Sequence, residues 1–137
     1  MLTVPQLLRS TFTTPRHNSG TVSFKSVRKG SNRAGYPKVL AQAYSAETPQ
    51  GKRKAAPAVH QCSLTALDKK KGFSGFVKVS CSCEYFTYYC EYALYKQGAA
   101  DITYSNGDPP VDRNPSLTPS LCKHLFALLT GLKSGRL

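Results

Sequence analysis

VKVSCSCEYF, Val77 to Phe86, changes its period in the middle. Val77, Val79 and Cys81 alternate with polar neighbours, the two-residue repeat of a strand that buries one face. From Glu84 to Gln97, EYFTYYCEYALYKQ, the repeat lengthens. Phe86, Tyr89 or Cys90, Ala93 and Gln97 fall three to four apart and Gly98 follows as a stop signal, which predicts a helix. Cys81 and Cys83 sit where one pattern gives way to the other. In extended backbone residues i and i+2 point the same way, so both sulfurs face one side.

Working upstream, VHQCSLTAL (Val59 to Leu67) and FSGFVKVSC (Phe73 to Cys81) flank the polar turn DKKKG, a strand, turn and strand that predict a β-hairpin. Before it, TVSFKSV (Thr21 to Val27) and YPKVLAQAYS (Tyr36 to Ser45) read as two further strands around the turn-forming RKGSNRAG. ETPQGKRKAAP, Glu47 to Pro57, reads as a solvated loop. Residues 1–20, with Pro5, Pro15, Arg9, Arg16 and many Ser/Thr, show no sustained period and predict an extended basic arm.

Downstream, DITYSNGDPPVDRNPSLTPS is a short strand at most, then a Pro-rich loop. LCKHLFALLTGL (Leu121 to Leu132) sets Leu121, Leu125, Leu128 and Leu132 on one stripe, predicting a helix that packs on the hairpin and stops near Gly131 or Gly135. Cys122 and His124 repeat the i, i+2 spacing. Inside a helix that spacing turns about 200°, so the two can face one ion only if Cys122 stands at or before the helix start. The prolines before it and Ser120 as a candidate N-cap allow such a start at Leu121 or Cys122. Three thiolates and an imidazole are a donor set for zinc, a helix N-terminus favours the Cys122 thiolate, and Lys123 offsets the remaining charge.

The set Cys81, Cys83, Cys122 and His124, preceded by a hairpin and ending on a helix start, resembles the SWIM-type zinc finger, Cys-x-Cys followed by Cys-x-His. VKVSCSCEYF and LCKHLFALL look like the flanks of that family. The resemblance spans Val59 to Leu132, and its spacer, which holds the predicted helix, is longer than the family's usual one. NGDPPVDRNPSLTPSLCKHL also looks like SWIM-type proteins encoded by tailed bacteriophages. The resemblance implies one closed structural Zn²⁺ per chain in a module over 59–137 with a helical insertion at 84–97; composition and strand pattern set before it the arm (1–20) and a region of strands and basic loop (21–58). Two other readings fit the same residues: buried free cysteines beside a helix histidine, which leaves the doubled spacing unexplained, and a redox-active Cys81/Cys83 pair, which nothing in the sequence favours specifically.

Cys62 shares a strand face with Leu64 and, like Cys90, reads as a core residue. His60 could form a His-x-Cys half-site with Cys62 but has no partner half; His17 reads as solvated. Five tyrosines within Tyr85 to Tyr95 circle their helix, so some pack on the core and others face a partner or rim.

The formal charge is +12 and unevenly spread: residues 1–60 hold ten Lys/Arg against the single acid Glu47, and residues 61–137 nine against six. That field attracts phosphate backbones or acidic surfaces without choosing between them. Arg9, Arg16, Arg28, Lys29, Arg33, Lys52, Arg53 and Lys54 are the candidate partner contacts. No apolar run approaches about 20 residues and MLTVPQLLRSTF lacks the build of a secretory signal. Five cysteines, an odd count, favour reduced thiols in an intracellular compartment over a disulfide framework. The acid-free first 46 residues share the composition of organelle transit peptides and leave a mitochondrial destination open.

No Gly-rich phosphate loop, paired acids or nucleophile with a separate histidine is present, so a non-enzyme is expected, with no small-molecule substrate and no membrane partner. Two binding functions remain. One is a component of a larger particle such as a phage virion, docking among protein neighbours through the arm and the Tyr-rich helix. The other is a DNA- or RNA-binding accessory factor. The absence of a helix with clustered base-reading side chains favours the first.

Overall fold

The computed structural model describes residues 1–45, 51–53 and 56–137. Alternating apolar residues build five antiparallel strands in one sheet, ordered β1-β5-β4-β3-β2: β1 Leu2–Thr3, β2 Val22–Ser31, β3 Pro37–Ser45, β4 His60–Ala66 and β5 Phe76–Cys81. Among the described residues four helices join it: α1 Val4–Ser10, α2 Thr13–Asn18, α3 Glu91–Lys96 and α4 Lys123–Lys133. This is the expected α+β class, with two more helices than the sequence predicts. No helix among the described residues is long and apolar enough to cross a membrane.

The strand period decides what is buried. Val39, Ala41 and Ala43 of β3, Cys62, Leu64 and Ala66 of β4, and Val77, Val79 and Cys81 of β5 lie on the inner face. Leu125, Leu128 and Leu129 of α4 and Val4 and Leu7 of α1 belong to the same core cluster. The predicted hairpin forms as β4 and β5, and the two further strands pair antiparallel as β2 and β3. The first turn is tighter than RKGSNRAG suggested, because Asn32 closes it: its N–H donates to the Tyr36 carbonyl at 2.9 Å and its Oδ1 accepts from the Tyr36 N–H at 3.0 Å. Arg28 to Gly30 are therefore strand.

Residues 1–20 are not an extended arm. Leu2 and Thr3 pair with Val77 and Phe76, and α1 and α2 follow. Two features read as loop signals in fact start a helix. Thr3 forms a capping box with Gln6, and Pro5 falls in the first turn, where its missing N–H costs nothing. Val4, Leu7 and Leu8 recur at helical spacing, and the first two are buried. About two turns of helix were too few to show that period among so many Ser, Thr and Pro.

The predicted helix after Cys83 runs from residue 84 to 96 but contains a π-helical turn, Phe86–Cys90, before α3. The Glu91 N–H reaches back to the Phe86 carbonyl, five residues away. The inserted residue explains why Tyr89 and Cys90 competed for one place in the pattern; Cys90 takes the fully buried one. Gly98, at φ +71°, ends the helix as predicted. No strand forms over 101–120. The predicted loop Glu47 to Pro57 falls partly, and Lys54 wholly, outside the described residues.

Candidate metal centre

Cys81 is the last residue of β5, and the ladder continues one step past it: the Ser82 N–H donates to the Gln61 carbonyl at 3.0 Å and the Ser82 hydroxyl accepts from the Gln61 N–H at 2.9 Å. This holds the backbone extended, so Cys83 faces the same side as Cys81. Cys122 has extended dihedrals (φ −77°, ψ 170°) immediately before α4, and His124 falls in the first turn. The condition set by the i, i+2 spacing is therefore met, with Cys122 itself as the N-cap in place of Ser120.

Both halves use a cysteine to start a helix. The Cys122 sulfur accepts from the Leu125 N–H at 3.5 Å, and the Cys83 sulfur accepts from the Phe86 N–H at 3.4 Å. The Thr87 N–H and hydroxyl both donate to the Cys83 carbonyl. Two helix N-termini thus point their free amides at two sulfurs of one cluster, which favours negative charge there. Only the Cys122 half of this was visible from the prolines before it.

The four donor atoms of Cys81, Cys83, Cys122 and His124 lie within 4.8 Å of one another, and all four residues are buried. Cys81 Sγ stands 3.9 Å from His124 Nδ1. Bond lengths of about 2.3 Å to sulfur and about 2.0–2.1 Å to nitrogen imply tetrahedral edges of about 3.4–3.8 Å, so small torsional shifts close the group on an ion. The donor chemistry fits a thiophilic dication.

Electrostatics without a cation are lopsided. Hydrogen bonds from Cys122, Cys62 and Cys83 hold the Cys81 thiol far below its ordinary range. Cys122 is pushed well up by burial and by its bonds to Cys81 and Cys83. The bond between Cys122 and Cys83 lowers the Cys83 thiol, but the bond with Cys81, burial and the Cys81 charge outweigh it and raise it to about 12. Within the cluster negative charge is thus favoured at Cys81 and disfavoured at Cys83 and Cys122, and a dication would offset the cost of the further thiolates.

The approach to Cys122 is held from the N-terminal segment. Ser10 Oγ donates to the Pro119 carbonyl, the Phe12 N–H donates to Ser120 Oγ at 3.1 Å, and the Leu121 N–H donates to Thr11 Oγ1 at 3.1 Å. The long spacer is tied down by two polar residues that sequence reasoning missed. Buried Glu91 accepts from the backbone N–H groups of Thr103, Tyr104 and Ser105 at 2.8–3.2 Å. Buried Asn114 donates to the Tyr89 and Thr118 carbonyls and accepts from the Thr118 N–H.

Cys62 lies opposite Cys81, its sulfur 3.5 Å away, and Cys90 is buried; neither belongs to the four-donor group. The His60 ring lies 4.7 Å from that of His124, and both line a cleft of about 370 Å³ with Cys83. His17 is exposed.

The described basic candidates sit on several different elements. Arg16 is engaged locally, donating to the carbonyls of Leu8, Arg9 and Thr11 and lying 5.5 Å over the Phe126 ring. Arg9 lies in the last turn of α1, Arg28 and Lys29 lie on β2, and Arg33 lies in the following turn, all exposed. Lys29 donates to the Leu137 carbonyl. Lys52 and Arg53 are exposed in the loop before β4.

Comparison with protein-family models, curated proteins and solved structures finds no match to this chain. The geometry of the chain itself therefore carries the assignment: a buried Cys3His group at the junction of β5 and α4 that could hold a metal ion.

Proposed function

We propose that this chain is a non-catalytic, SWIM-type zinc module that serves as a structural component of a larger particle, of the kind found in a phage virion. The observation that carries it is the convergence of four buried protein donors, Cys81, Cys83, Cys122 and His124, from two distant segments. Three sulfurs and one imidazole suit tetrahedral zinc, and four protein donors leave no position for a reacting water. The ligand order, the hairpin before the first pair and the helix started by the second all agree with the SWIM pattern. Five free thiols suit a reducing compartment.

Docking is assigned to the Tyr-rich side, because the segment expected to be an arm is folded. Tyr88, Tyr104 and Val111 are 50%, 44% and 69% exposed and border one cleft of about 570 Å³. Exposed aromatic and aliphatic side chains around a concave surface are a feature of protein interfaces.

Metal analysis tests the centre: about one zinc per chain is expected, and an iron–sulfur absorbance would reject it. For the assembly role, the wild-type chain should co-sediment with its particle and a Tyr88→Ser/Tyr104→Ser variant should not. The competing nucleic-acid function draws on exposed Lys25, Arg28 and Lys29 along the outer strand β2. Filter binding across salt separates the two. Binding that weakens steeply with salt would favour nucleic acid; the assembly role expects none.

A further inference from the structure

Cys62 stands outside the donor set but within reach of it. β4 and β5 run antiparallel with Cys62 directly opposite Cys81. The Ser82 N–H bonds to the Gln61 carbonyl, so Gln61 and Ser82 are the hydrogen-bonded pair of that rung and Cys62 and Cys81 form the adjacent non-hydrogen-bonded pair. In such pairs the Cα atoms approach to about 4.5 Å, within the span of about 4.4–6.8 Å over which a disulfide closes. Both side chains point to the inner face, and their sulfurs are 3.5 Å apart. A sulfur of Cys81 bonded to Cys62 can no longer serve as a thiolate donor.

We propose that Cys62 and Cys81 are a redox pair whose oxidation by a peroxide dismantles the metal centre. The output rests on the metal-binding function above; the chemistry of the pair does not. One sulfur attacks a peroxide oxygen, the O–O bond breaks and the leaving oxygen departs as water, which leaves a sulfenic acid. The second sulfur attacks that sulfur, the S–S bond forms, and the sulfenic oxygen leaves as a second water with the remaining thiol proton. Two electrons pass from the two sulfurs to one peroxide, and a dithiol reductant reverses the change.

Cys62 is suited to this role because it is the neighbouring thiol that the centre does not use. A disulfide between two donors would cost the centre two ligands, whereas this one costs a single ligand and leaves Cys83, Cys122 and His124 in place. The cleft lined by Cys83, His60 and His124 gives small molecules an approach to the cluster. Cys62 and Cys81 themselves are 2% and 0% exposed, so oxidation requires a local opening at the end of the β4–β5 ladder and is slow while the centre is intact.

The test loads the full chain with zinc, adds hydrogen peroxide, follows released zinc with a chromogenic chelator and maps disulfides by peptide mass spectrometry. A Cys62–Cys81 peptide is expected in step with zinc release, and dithiothreitol should restore both. Cys62→Ala and Cys62→Ser should retain zinc and release it roughly tenfold more slowly under peroxide. The proposal is overturned if Cys62 of the wild type stays alkylatable after zinc has left, or if the mapped disulfide joins other cysteines. Should the chain take up no zinc, the mapping alone decides. A Cys62–Cys81 disulfide in the metal-free protein would sustain the pair while removing the metal function, and its absence would overturn the pair as well.

Discussion

At the scale of single residues, Cys122 is a helix cap and a candidate metal donor, and a serine keeps only the first role. A hydroxyl still accepts the Leu125 N–H, but it does not replace a thiolate toward zinc. Cys122→Ser should therefore unfold in urea within about 1 kcal/mol of wild type when both are held in chelator. With zinc present it should lose several kcal/mol, because apparent zinc binding energies of about 10 kcal/mol match the whole stability of a small domain. Equal melting of the two proteins with zinc would exclude a structural ion. Acid should act in the same direction. The Cys83 and Cys122 thiols, the first raised to about 12 and the second well above its ordinary range, must lose protons to bind, so affinity should fall on going from about pH 8 to about pH 6 in a competition titration. These four donors were legible because each pair carries the i, i+2 spacing at a change of period. Glu91 and Asn114 were not. Their partners are backbone amides and carbonyls of an aperiodic loop, and no residue pattern announces which carboxylate a loop will fold around.

At the scale of elements, β2 to β5, the helical segment 84–96 and α4 could be read because each repeats its period several times, whereas the two-residue β1 could not. α1 and α2 could not, since six or seven residues with Pro and Thr give one turn of apolar spacing and look like loop. Their packing now assigns them work: Ser10, Thr11 and Phe12 fix the three residues that lead into Cys122. Thr11→Val, which removes the acceptor of the buried Leu121 N–H, should cost about 1–3 kcal/mol in urea unfolding and should also weaken zinc retention against a chelator. Leu7→Ala, a fully buried truncation in α1, should cost about 2–5 kcal/mol. If residues 1–12 could be removed with no loss of either quantity, they would not be part of the folded body. The spacer has its own anchor. Glu91→Ala withdraws the acceptor of three backbone amides and should destabilise by about 3 kcal/mol, with the added exchange of the Thr103 to Ser105 amides visible by hydrogen–deuterium exchange.

At the scale of the whole molecule, the sheet order places the basic strand β2 at one edge and β5, which ends on the candidate donor Cys81, toward the other, beside the two-residue β1. Charge and metal are thus separate properties of the surface. Neutralising Arg28 and Lys29 together should leave zinc stoichiometry unchanged, and a loss of zinc would show the two to be coupled. The pairing of Leu2 and Thr3 with Phe76 and Val77 also has a consequence for biogenesis. During translation the first strand has no neighbour until the fifth leaves the ribosome, and the second ligand pair emerges later still. Nascent chains stalled before Cys122 should consequently remain protease-sensitive and unable to hold an ion, so that the candidate centre can close only after both distant segments have been made.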